Sequence, residues 1–382
     1  MRVLSPSRLA RLDDVLTGYV ERHEIPALVA LVARGGDVHV LARGAERDAI
    51  FRIASITKPV TAVAAMILVE ECRLRLDQSV EPWLPELANR RVLRSIASVL
   101  DDTVPARRAI TVRDLLTSCM GIGSVMAPPD SYPIQRAIRE LRIGGDGPKL
   151  QSQWPPTDQW MRNLGSLPLL AHPGERFHYN VSLDVLGVLI ARVSGQSFGA
   201  FLRERVFDPL GMKDTAFSVP TEKLGRLTTS YLHTLEVWDG VEDSTWRLAP
   251  PPFESGSGGL VSTLDDYFAF CRMLLAKGAP ILSRASVELM MSDQLTPAQR
   301  EGAEIFFGRH SSWGFGAAVD IARREIFHTP GRYGWTGGFG TIAYTDPFEG
   351  LIGILFTQKM MASPEPPAVM SDFWTLAYAA AG

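Results

Sequence analysis

Residues 51–74, FRIASITKPVTAVAAMILVEECRL, contain the pattern that decides the fold of this chain. From about residue 55 to 73 the segment is rich in Ala, Leu and Val without an internal breaker, which predicts a largely buried helix. Pro59 falls in the predicted first turn, where its missing N–H costs no hydrogen bond. Ser55 and Lys58 stand three positions apart at the start of this helix, so both side chains project from one face.

Ser55 and Lys58 have the chemistry of a nucleophile and its base. A helix N-terminus favours the negative charge that develops on a serine oxygen, and its free N–H groups can bind an oxyanion. A lysine among Ile56, Val60 and Ala62 is desolvated, which favours the neutral amine that accepts a proton. The alternative is a serine N-cap followed by a solvated lysine, a pattern that also arises by chance.

The segments on either side of this helix predict a sheet built from both ends of the chain. ALVALVAR, Gly35-Gly36-Asp37 and VHVLAR predict a hairpin, and D-P-F-E-G predicts a turn between two later strands. Strand-like runs occur in WGFGAAVD (313–320), EIFHTP (325–330), GGFGTIAYTD (337–346) and GLIGILFTQ (350–358), and DFWTLAYAAA (372–381) predicts a final helix.

The middle of the chain has helical patches joined by loops rich in Pro and Gly, with few strand signals. We therefore predict an α/β fold with two lobes. Residues 1–84 and 246–382 form a lobe with a mostly antiparallel sheet flanked by helices, and residues 85–245 form an inserted, mainly helical lobe. The active site is expected between the two lobes.

Composition excludes several classes of partner. The 382 residues carry a formal net charge of −3 without a long run of Lys and Arg, which argues against nucleic acid or an anionic membrane as partner. The three cysteines lack CxxC spacing, which suits a reducing compartment. The sequence also shows no apolar signal peptide and no segment typical of a membrane span, so we predict a cytoplasmic protein. The seven histidines show no paired metal spacing, so we expect neither a metal nor another cofactor.

Two other segments contain candidate functional residues. Tyr179 lies in His178-Tyr179-Asn180 just before a predicted helix, and a tyrosine hydroxyl near a cationic lysine can relay a proton. The alternative is a buried aromatic residue with a satisfied hydroxyl. The glycine-dense segment 331–340 precedes the strand TIAYT and favours a close backbone approach, such as a second oxyanion N–H; the alternative is a glycine-rich bulge or turn.

Taken together, these segments resemble the serine β-lactamase and penicillin-binding-protein superfamily, with its SxxK and KTG motifs. The chain is most similar to the class C β-lactamase-like branch that includes family VIII carboxylesterases. Supporting stretches are ITVRDLLTSCMGI, PGERFHYNVSLDVLGVLIARVSG, VFDPLGMKDTAF and GSGGLVSTLDDYFAF. The resemblance runs from about residue 10 to the last helix.

The resemblance implies a role for each matching residue. Ser55 would be the acylated nucleophile, Lys58 its base partner, and Tyr179 the group that exchanges protons with the serine and the leaving group. The N–H groups of Ser55 and Gly338 would form the oxyanion hole. Trp335, Thr336 and Gly337 occupy the place of the KTG motif and belong to the substrate pocket. Whether the lysine or the tyrosine is the general base stays open.

Two departures from the family pattern suggest the substrate. Val181 stands where the family's YxN motif has asparagine, and Trp335 stands where KTG has lysine. The lost lysine would pair with the carboxylate of a β-lactam, and charge-assisted contacts contribute more than neutral ones. Arg332 is a possible replacement for that charge. An aromatic wall suits neutral molecules instead, so the expected activity is hydrolysis of short-chain carboxylic esters.

Other activities of the same fold are alternatives: a β-lactamase, a D-amino-acid peptidase, a transesterase, or an inactive ligand-binding relative. A competing nucleophile is Ser197 in Gly195-Gln196-Ser197-Phe198-Gly199, which matches the GxSxG elbow of α/β-hydrolases. That elbow needs a strand before the serine, whereas LDVLGVLIARV predicts a helix. We therefore expect Gly195 to end that helix and Ser197 to cap the next one. A structural role is expected for His178, and Asp184 is a candidate for orienting its neighbours.

Overall fold

The computed structural model describes residues 3–144, 154–238 and 250–382. The helices are α1 (Pro6–Glu21), α2 (Thr57–Glu70), α3 (Val112–Leu116), α4 (Pro133–Glu140), α5 (Thr157–Ser166), α6 (Val181–Ser194), α7 (Phe198–Leu202), α8 (Asp208–Leu210), α9 (Leu264–Leu275), α10 (Arg284–Met290), α11 (Pro297–Arg300), α12 (Glu304–Phe307) and α13 (Ala368–Ala381). The strands are β1 (Leu28–Arg34), β2 (Asp37–Arg43), β3 (Phe51–Arg52), β4 (Arg91–Leu93), β5 (Thr103–Pro105), β6 (Val261–Ser262), β7 (Ser311–Trp313), β8 (Ala318–Asp320), β9 (Tyr333–Gly337), β10 (Thr341–Asp346) and β11 (Leu351–Thr357).

The main sheet is antiparallel and joins the two ends of the chain. Its seven strands follow the order β2-β1-β11-β10-β9-β8-β7. The predicted hairpin is confirmed, because Arg34 pairs with Asp37 across a two-residue turn. The predicted turn between β10 and β11 is also confirmed, with Asp346 paired to Leu351. The predicted lobe boundary at residues 245 and 246 lies outside the described residues.

The two faces of the sheet pack against different helices. On one face α1 and α13 pack together over sheet residues such as Ile342, Tyr344 and Leu355. On the other face α2 and α9 belong to the larger core, with Ile354 and Phe356 pointing towards them. Residues on one face alternate with residues on the other because side chains alternate along a strand. The fold is therefore a two-lobed α/β fold, with the mostly helical segments between the strands of the sheet.

The helix predicted from residues 55–73 is present but begins later. A short 3₁₀ turn, Ala54–Ile56, precedes α2, and every residue of α2 from Thr57 to Leu68 is buried. Ala54 has a φ of 46°, a left-handed conformation that is costly for a residue with a Cβ. The serine therefore lies in a tight turn at the entrance of the helix.

The prediction of a strand over 325–330 is wrong. This segment forms turns, and the N–H of Glu325 donates to Nδ1 of His328 at 3.2 Å. Conversely, residues 333–337 form the strand β9, where the sequence predicted only a glycine-rich strand edge. Glycine is required there: a Cβ on Gly334 would collide with Tyr344, and one on Gly337 would collide with the Ile53 carbonyl oxygen. Gly337 thus lets β9 lie directly against the turn that contains Ser55.

No single helix in the described ranges is long and apolar enough to cross a membrane; only the bent pair Val181–Ser194 and Phe198–Leu210 meets the length and composition criterion, and only jointly.

Candidate active site

Ser55 and Lys58 are in direct contact. Lys58 Nζ lies 2.9 Å from Ser55 Oγ and donates a second hydrogen bond to the Ser257 carbonyl oxygen at 2.6 Å. The lysine side chain has no solvent exposure, so packing in the core holds it in the position where it makes these two hydrogen bonds. The alternative of a solvated lysine is therefore wrong: the amine is buried and faces the serine.

The segment that holds the lysine is fixed by a buried carboxylate. Asp184, on α6, accepts hydrogen bonds from Ser255 Oγ at 2.6 Å, Ser257 N at 3.0 Å and Ser257 Oγ at 2.8 Å. Burial raises the pKa of Asp184, while the hydrogen bonds from Ser255 and Ser257 and the nearby Lys58 charge act to lower it. Asp184 therefore orients its neighbours, as the sequence suggested, and acts on Lys58 through the Ser257 carbonyl group.

Tyr179 lies beside the lysine but faces it with its ring. Lys58 Nζ is 4.5 Å from the centre of the Tyr179 ring, a cation–π distance. The Tyr179 hydroxyl accepts a hydrogen bond from Trp335 Nε1 at 2.8 Å. It keeps its own hydrogen for donation to another group. The residue that follows, Asn180, has a φ of 91°, so strained backbone lies next to both Ser55 and Tyr179.

An aromatic wall surrounds Tyr179. The Tyr179 and Phe306 rings lie 4.7 Å apart, and Trp335 meets Trp313 edge to face at 4.7 Å. Trp335 is almost fully buried, so its indole position is set by this packing. The KTG-like segment therefore presents an aromatic ring and an N–H to the site.

The candidate residues line one large cavity of about 820 Å³. Ser55, Tyr179, Trp335, Thr336 and Gly338 all lie on its surface. Gly337 is buried beneath them against Ala54. The structure thus brings together every site residue that the sequence predicted.

Arg332 does not replace the lost lysine charge. Its Nε lies 2.9 Å from Asp320 Oδ2, and its guanidinium stacks on Tyr344 and Trp374 at 4.2 and 4.7 Å. The other arginine that lines the described part of the cavity, Arg52, donates to the Thr228 carbonyl oxygen and the Ser230 hydroxyl. Both cations are therefore committed to protein groups.

The His178 imidazole contributes no charge to the site around Ser55. Desolvation lowers the pKa of His178 to about 4, so the ring is neutral at neutral pH. Its backbone N–H donates to the Ser118 carbonyl oxygen at 2.7 Å, which fixes the segment in front of Tyr179. The structural role expected from the sequence fits this geometry.

The competing serine is placed as the sequence predicted. Gly195 ends α6 in a left-handed conformation with a φ of 76°. Ser197 Oγ accepts a hydrogen bond from Ala200 N at 3.1 Å, so it caps α7. A helix, not a strand, precedes this GxSxG stretch.

Sequence reasoning missed Ser257 as a partner of Lys58. The density of Ser and Gly in residues 255–259 was a signal, because small residues allow the close approach of two backbones. A Cβ on Gly256 would collide with the Leu183 carbonyl oxygen and approach Thr61. This contact brings the Ser257 carbonyl group over α2.

Comparisons with known proteins agree with this fold. A family model described as Beta-lactamase matches residues 12–369. An uncharacterized protein of Mycobacterium tuberculosis is 38% identical over 327 residues, covering 82% of this chain and 78% of that protein. Esterase EstB of Burkholderia gladioli is 29% identical over 397 residues, covering 96% and 94%. The solved structure of EstCE1, titled a hydrolase with promiscuous acyltransferase activity, superposes with a TM-score of 0.80 at 25% identity, covering 97% and 99%.

Proposed function

The chain belongs to the beta-lactamase family and is an enzyme of the serine hydrolase and acyltransferase type, and we propose that it hydrolyses neutral, short-chain carboxylic esters. The observation that carries this proposal is the contact between Ser55 Oγ and the buried Lys58 amine at 2.9 Å, at a cavity where Arg332 is ion-paired with Asp320 and Arg52 is hydrogen-bonded to the Thr228 carbonyl oxygen.

The proposed reaction proceeds through an acyl-serine intermediate. Ser55 Oγ attacks the ester carbonyl carbon while the Lys58 amine takes the hydroxyl proton. The negative charge on the carbonyl oxygen is stabilised by the N–H groups of Ser55 and Gly338. When the C–O bond breaks, the leaving alcohol takes a proton through Tyr179, and a water molecule then releases the acid from Ser55. Lys58 is favoured over Tyr179 as the base because the lysine amine is hydrogen-bonded to Ser55 Oγ, whereas the Tyr179 hydroxyl is bonded to Trp335 Nε1.

The preference for neutral esters is supported by the charges around the cavity. A β-lactam carboxylate would need a cation that is free to bind it, but Arg52 and Arg332 are held by Ser230 and Asp320. Trp335 offers an apolar wall in place of a lysine. We therefore expect efficient turnover of p-nitrophenyl butyrate and little turnover of nitrocefin. The opposite result would favour the β-lactamase alternative.

Labelling with a fluorophosphonate probe tests the proposed nucleophile. Peptide mapping of the labelled wild-type protein should place the adduct on Ser55. Ser55→Ala should abolish labelling and esterase activity, whereas Ser197→Ala should retain both. Labelling that disappears only in Ser197→Ala would overturn the proposal, and a wild-type protein that takes no label would favour an inactive ligand-binding relative.

A further inference from the structure

The cavity that contains Ser55 continues onto the opposite face of the sheet. Ser55, Tyr179 and Trp335 line the part on the α2 face, whereas Ile342 and Tyr344 point to the α13 face. Since β10 pairs with β9 from Tyr333 to Gly337, the connection passes around the other edge or the end of β9. That other edge pairs with β8 only at Tyr333 and Gly334.

We call the part on the α13 face the rear arm; it is lined by Ile342, Tyr344, Met370, Ser371 and Trp374, with Arg332 at its inner end. Its walls are mostly apolar, and Phe327 and Met361 extend them. The whole cavity, about 820 Å³, lies in the upper part of the range of about 300–1,000 Å³ that holds drug-sized ligands. A short acyl chain and a small alcohol on the α2 face leave the rear arm unfilled.

The inner end of the rear arm contains polar atoms without partners. Within the described part of the chain, Trp374 Nε1 and His310 Nδ1 are buried and make no hydrogen bond, and the same holds for Nε and Nη1 of Arg332 and Oδ2 of Asp320. A Cβ on Gly353 would meet the Cζ3 and Cη2 atoms of Trp374, so the N–H edge of the indole is turned away from β11. Buried polar groups in proteins are nearly always hydrogen-bonded, so these atoms, Trp374 Nε1 among them, are expected to bind a ligand or an ordered water.

The buried arginine at this end is paired with a carboxylate. Asp320 balances Arg332 at 2.9 Å. His310 and His328 stack at 3.8 Å, and burial lowers the pKa of both, that of His328 to about 3. Because His328 Nδ1 accepts from Glu325 N, the neutral ring holds its hydrogen on Nε2 and can donate it. The rear arm thus offers hydrogen-bond donors in a neutral, largely apolar setting.

We infer that the rear arm is a substrate subsite, which holds the remote part of an extended neutral ester whose chain carries a carbonyl or ether oxygen. The apolar walls hold the chain, and Trp374 Nε1 donates to the oxygen. A carboxylate is disfavoured because the Arg332 charge is already balanced. This inference rests on the proposed esterase function and extends its substrate from short chains to longer ones.

The test compares the length dependence of hydrolysis in three proteins. The substrates are p-nitrophenyl acetate, p-nitrophenyl nonanoate and analogues of the nonanoate with one chain methylene replaced by oxygen at successive positions. A second series presents the same chains as the alcohols of acetate esters. The proteins are the wild type, Ser371→Trp, which fills the rear arm from the exposed side of α13, and the control Thr375→Trp, an exposed α13 position outside the cavity.

In the wild type, kcat/KM should rise about threefold for each methylene that enters the rear arm in one of the two series. An oxygen at one position should add about fivefold over the methylene analogue. Ser371→Trp should remove the gain from chain length, and Thr375→Trp should keep it. Trp374→Phe, which keeps a ring but removes the N–H, should remove only the gain from the oxygen.

The outcomes separate the two proposals. A wild-type protein that hydrolyses p-nitrophenyl acetate but gains nothing from chain length in either series overturns the subsite alone. A gain that survives in Ser371→Trp also overturns it. An oxygen that brings no advantage at any position shows that water satisfies Trp374 Nε1, and this overturns the assigned oxygen contact. A wild-type protein that hydrolyses none of the esters contradicts the proposed function itself.

Discussion

Ser55 and Ser197 both stand at the start of a helix within a motif that serine hydrolases use, but their surroundings differ. Ser55 Oγ lies 2.9 Å from a buried lysine amine and lines a large cavity. Ser197 is exposed, and its oxygen accepts a hydrogen bond from the backbone of its own helix at 3.1 Å. The Ser55 oxygen therefore has an amine beside it that can act as a base, whereas the Ser197 oxygen is occupied as the hydrogen-bonding cap of a helix N-terminus.

This difference lies in what precedes each serine. The left-handed Ala54 turns the chain from β3 directly into the helix, so Ser55 faces the lobe that is packed against it. Gly195 instead ends a helix in the solvent-exposed connection to the next one. A motif of four or five residues therefore predicts a nucleophile only when the preceding chain places it against a second structural element.

Removing the Lys58 amine should have the largest effect on activity, because it leaves Ser55 in the same situation as Ser197. Lys58→Met keeps the apolar stem but leaves Ser55 without a base, as Ser197 is. We expect kcat/KM for p-nitrophenyl acetate to fall about 10³-fold, the usual contribution of general-base catalysis. The control is the circular dichroism spectrum of the same variant. A folded Lys58→Met protein that retains most of its activity would contradict the role of the lysine.

Changing the support of the lysine should have the next largest effect. Asp184→Ala leaves the buried N–H of Ser257 without an acceptor, which should loosen the carbonyl group that holds Lys58. Misplacement of a catalytic group costs about 10²-fold in kcat/KM, measured with the same ester. We also expect a loss of about 1–3 kcal/mol of unfolding free energy in urea.

Asp184→Asn is the matched variant, since it keeps an acceptor for Ser257 N and removes the charge. A carboxylate stabilises the ammonium form of a neighbouring lysine, so the neutral amide should favour the free amine. The acid limb of the pH profile of kcat/KM should therefore move to lower pH, with a smaller loss of rate than in Asp184→Ala. An acid limb that stays in place would show that Asp184 acts through geometry alone.

Trp335→Phe tests how much the hydrogen bond between Trp335 and Tyr179 contributes to the activity of the Ser55 site. It keeps an aromatic ring in the wall but removes the N–H that binds the Tyr179 hydroxyl at 2.8 Å. We expect kcat/KM to fall about fivefold, as for one neutral hydrogen bond. Trp313→Phe is the control, because the buried Trp313 Nε1 has no hydrogen-bond partner among the described residues. Equal losses in both variants would assign the effect to packing.

The smallest effect is expected at Ser197. Ser197→Ala removes the cap of α7 and should lower the free energy of unfolding by about 1 kcal/mol, measured by chemical denaturation. Esterase activity should be unchanged. A loss of activity with unchanged stability would reverse the assignment of the two serines.

Much of the fold and of the candidate site could be predicted from local patterns. Strand-like runs and turn residues predicted the β1–β2 hairpin and the β10–β11 turn, and the buried helix after Ser55 followed from its composition. These features depend on neighbours in sequence. The SxxK, tyrosine and glycine segments could also be grouped, because the resemblance gave their order.

The errors concern residues whose neighbours are distant in sequence. Gly334 and Gly337 are poor strand formers, yet both lie in β9, which pairs with β10 at positions where Tyr344 and Ile53 leave room only for glycine. The apolar residues of 325–330 suggested a strand, but Phe327 instead packs on the Arg332 guanidinium. Arg332 was a candidate for the substrate site, and its pairing with Asp320 is a long-range contact that no local pattern contains.

The order of strands in the sheet has a consequence for how the protein is made. β1 lies between β2 and β11, and Leu28 pairs with Thr357, so the first long strand has one partner that is synthesised almost last. Contacts of such high sequence separation slow folding. During translation the β1–β2 hairpin forms before β11 exists, so the edge of β1 stays unpaired. The turn that contains Ser55 packs against β9 only after residues near 337 have left the ribosome. A nascent chain that stops before β9 therefore contains the serine and the lysine but lacks Trp335 and the strand that packs against the serine turn.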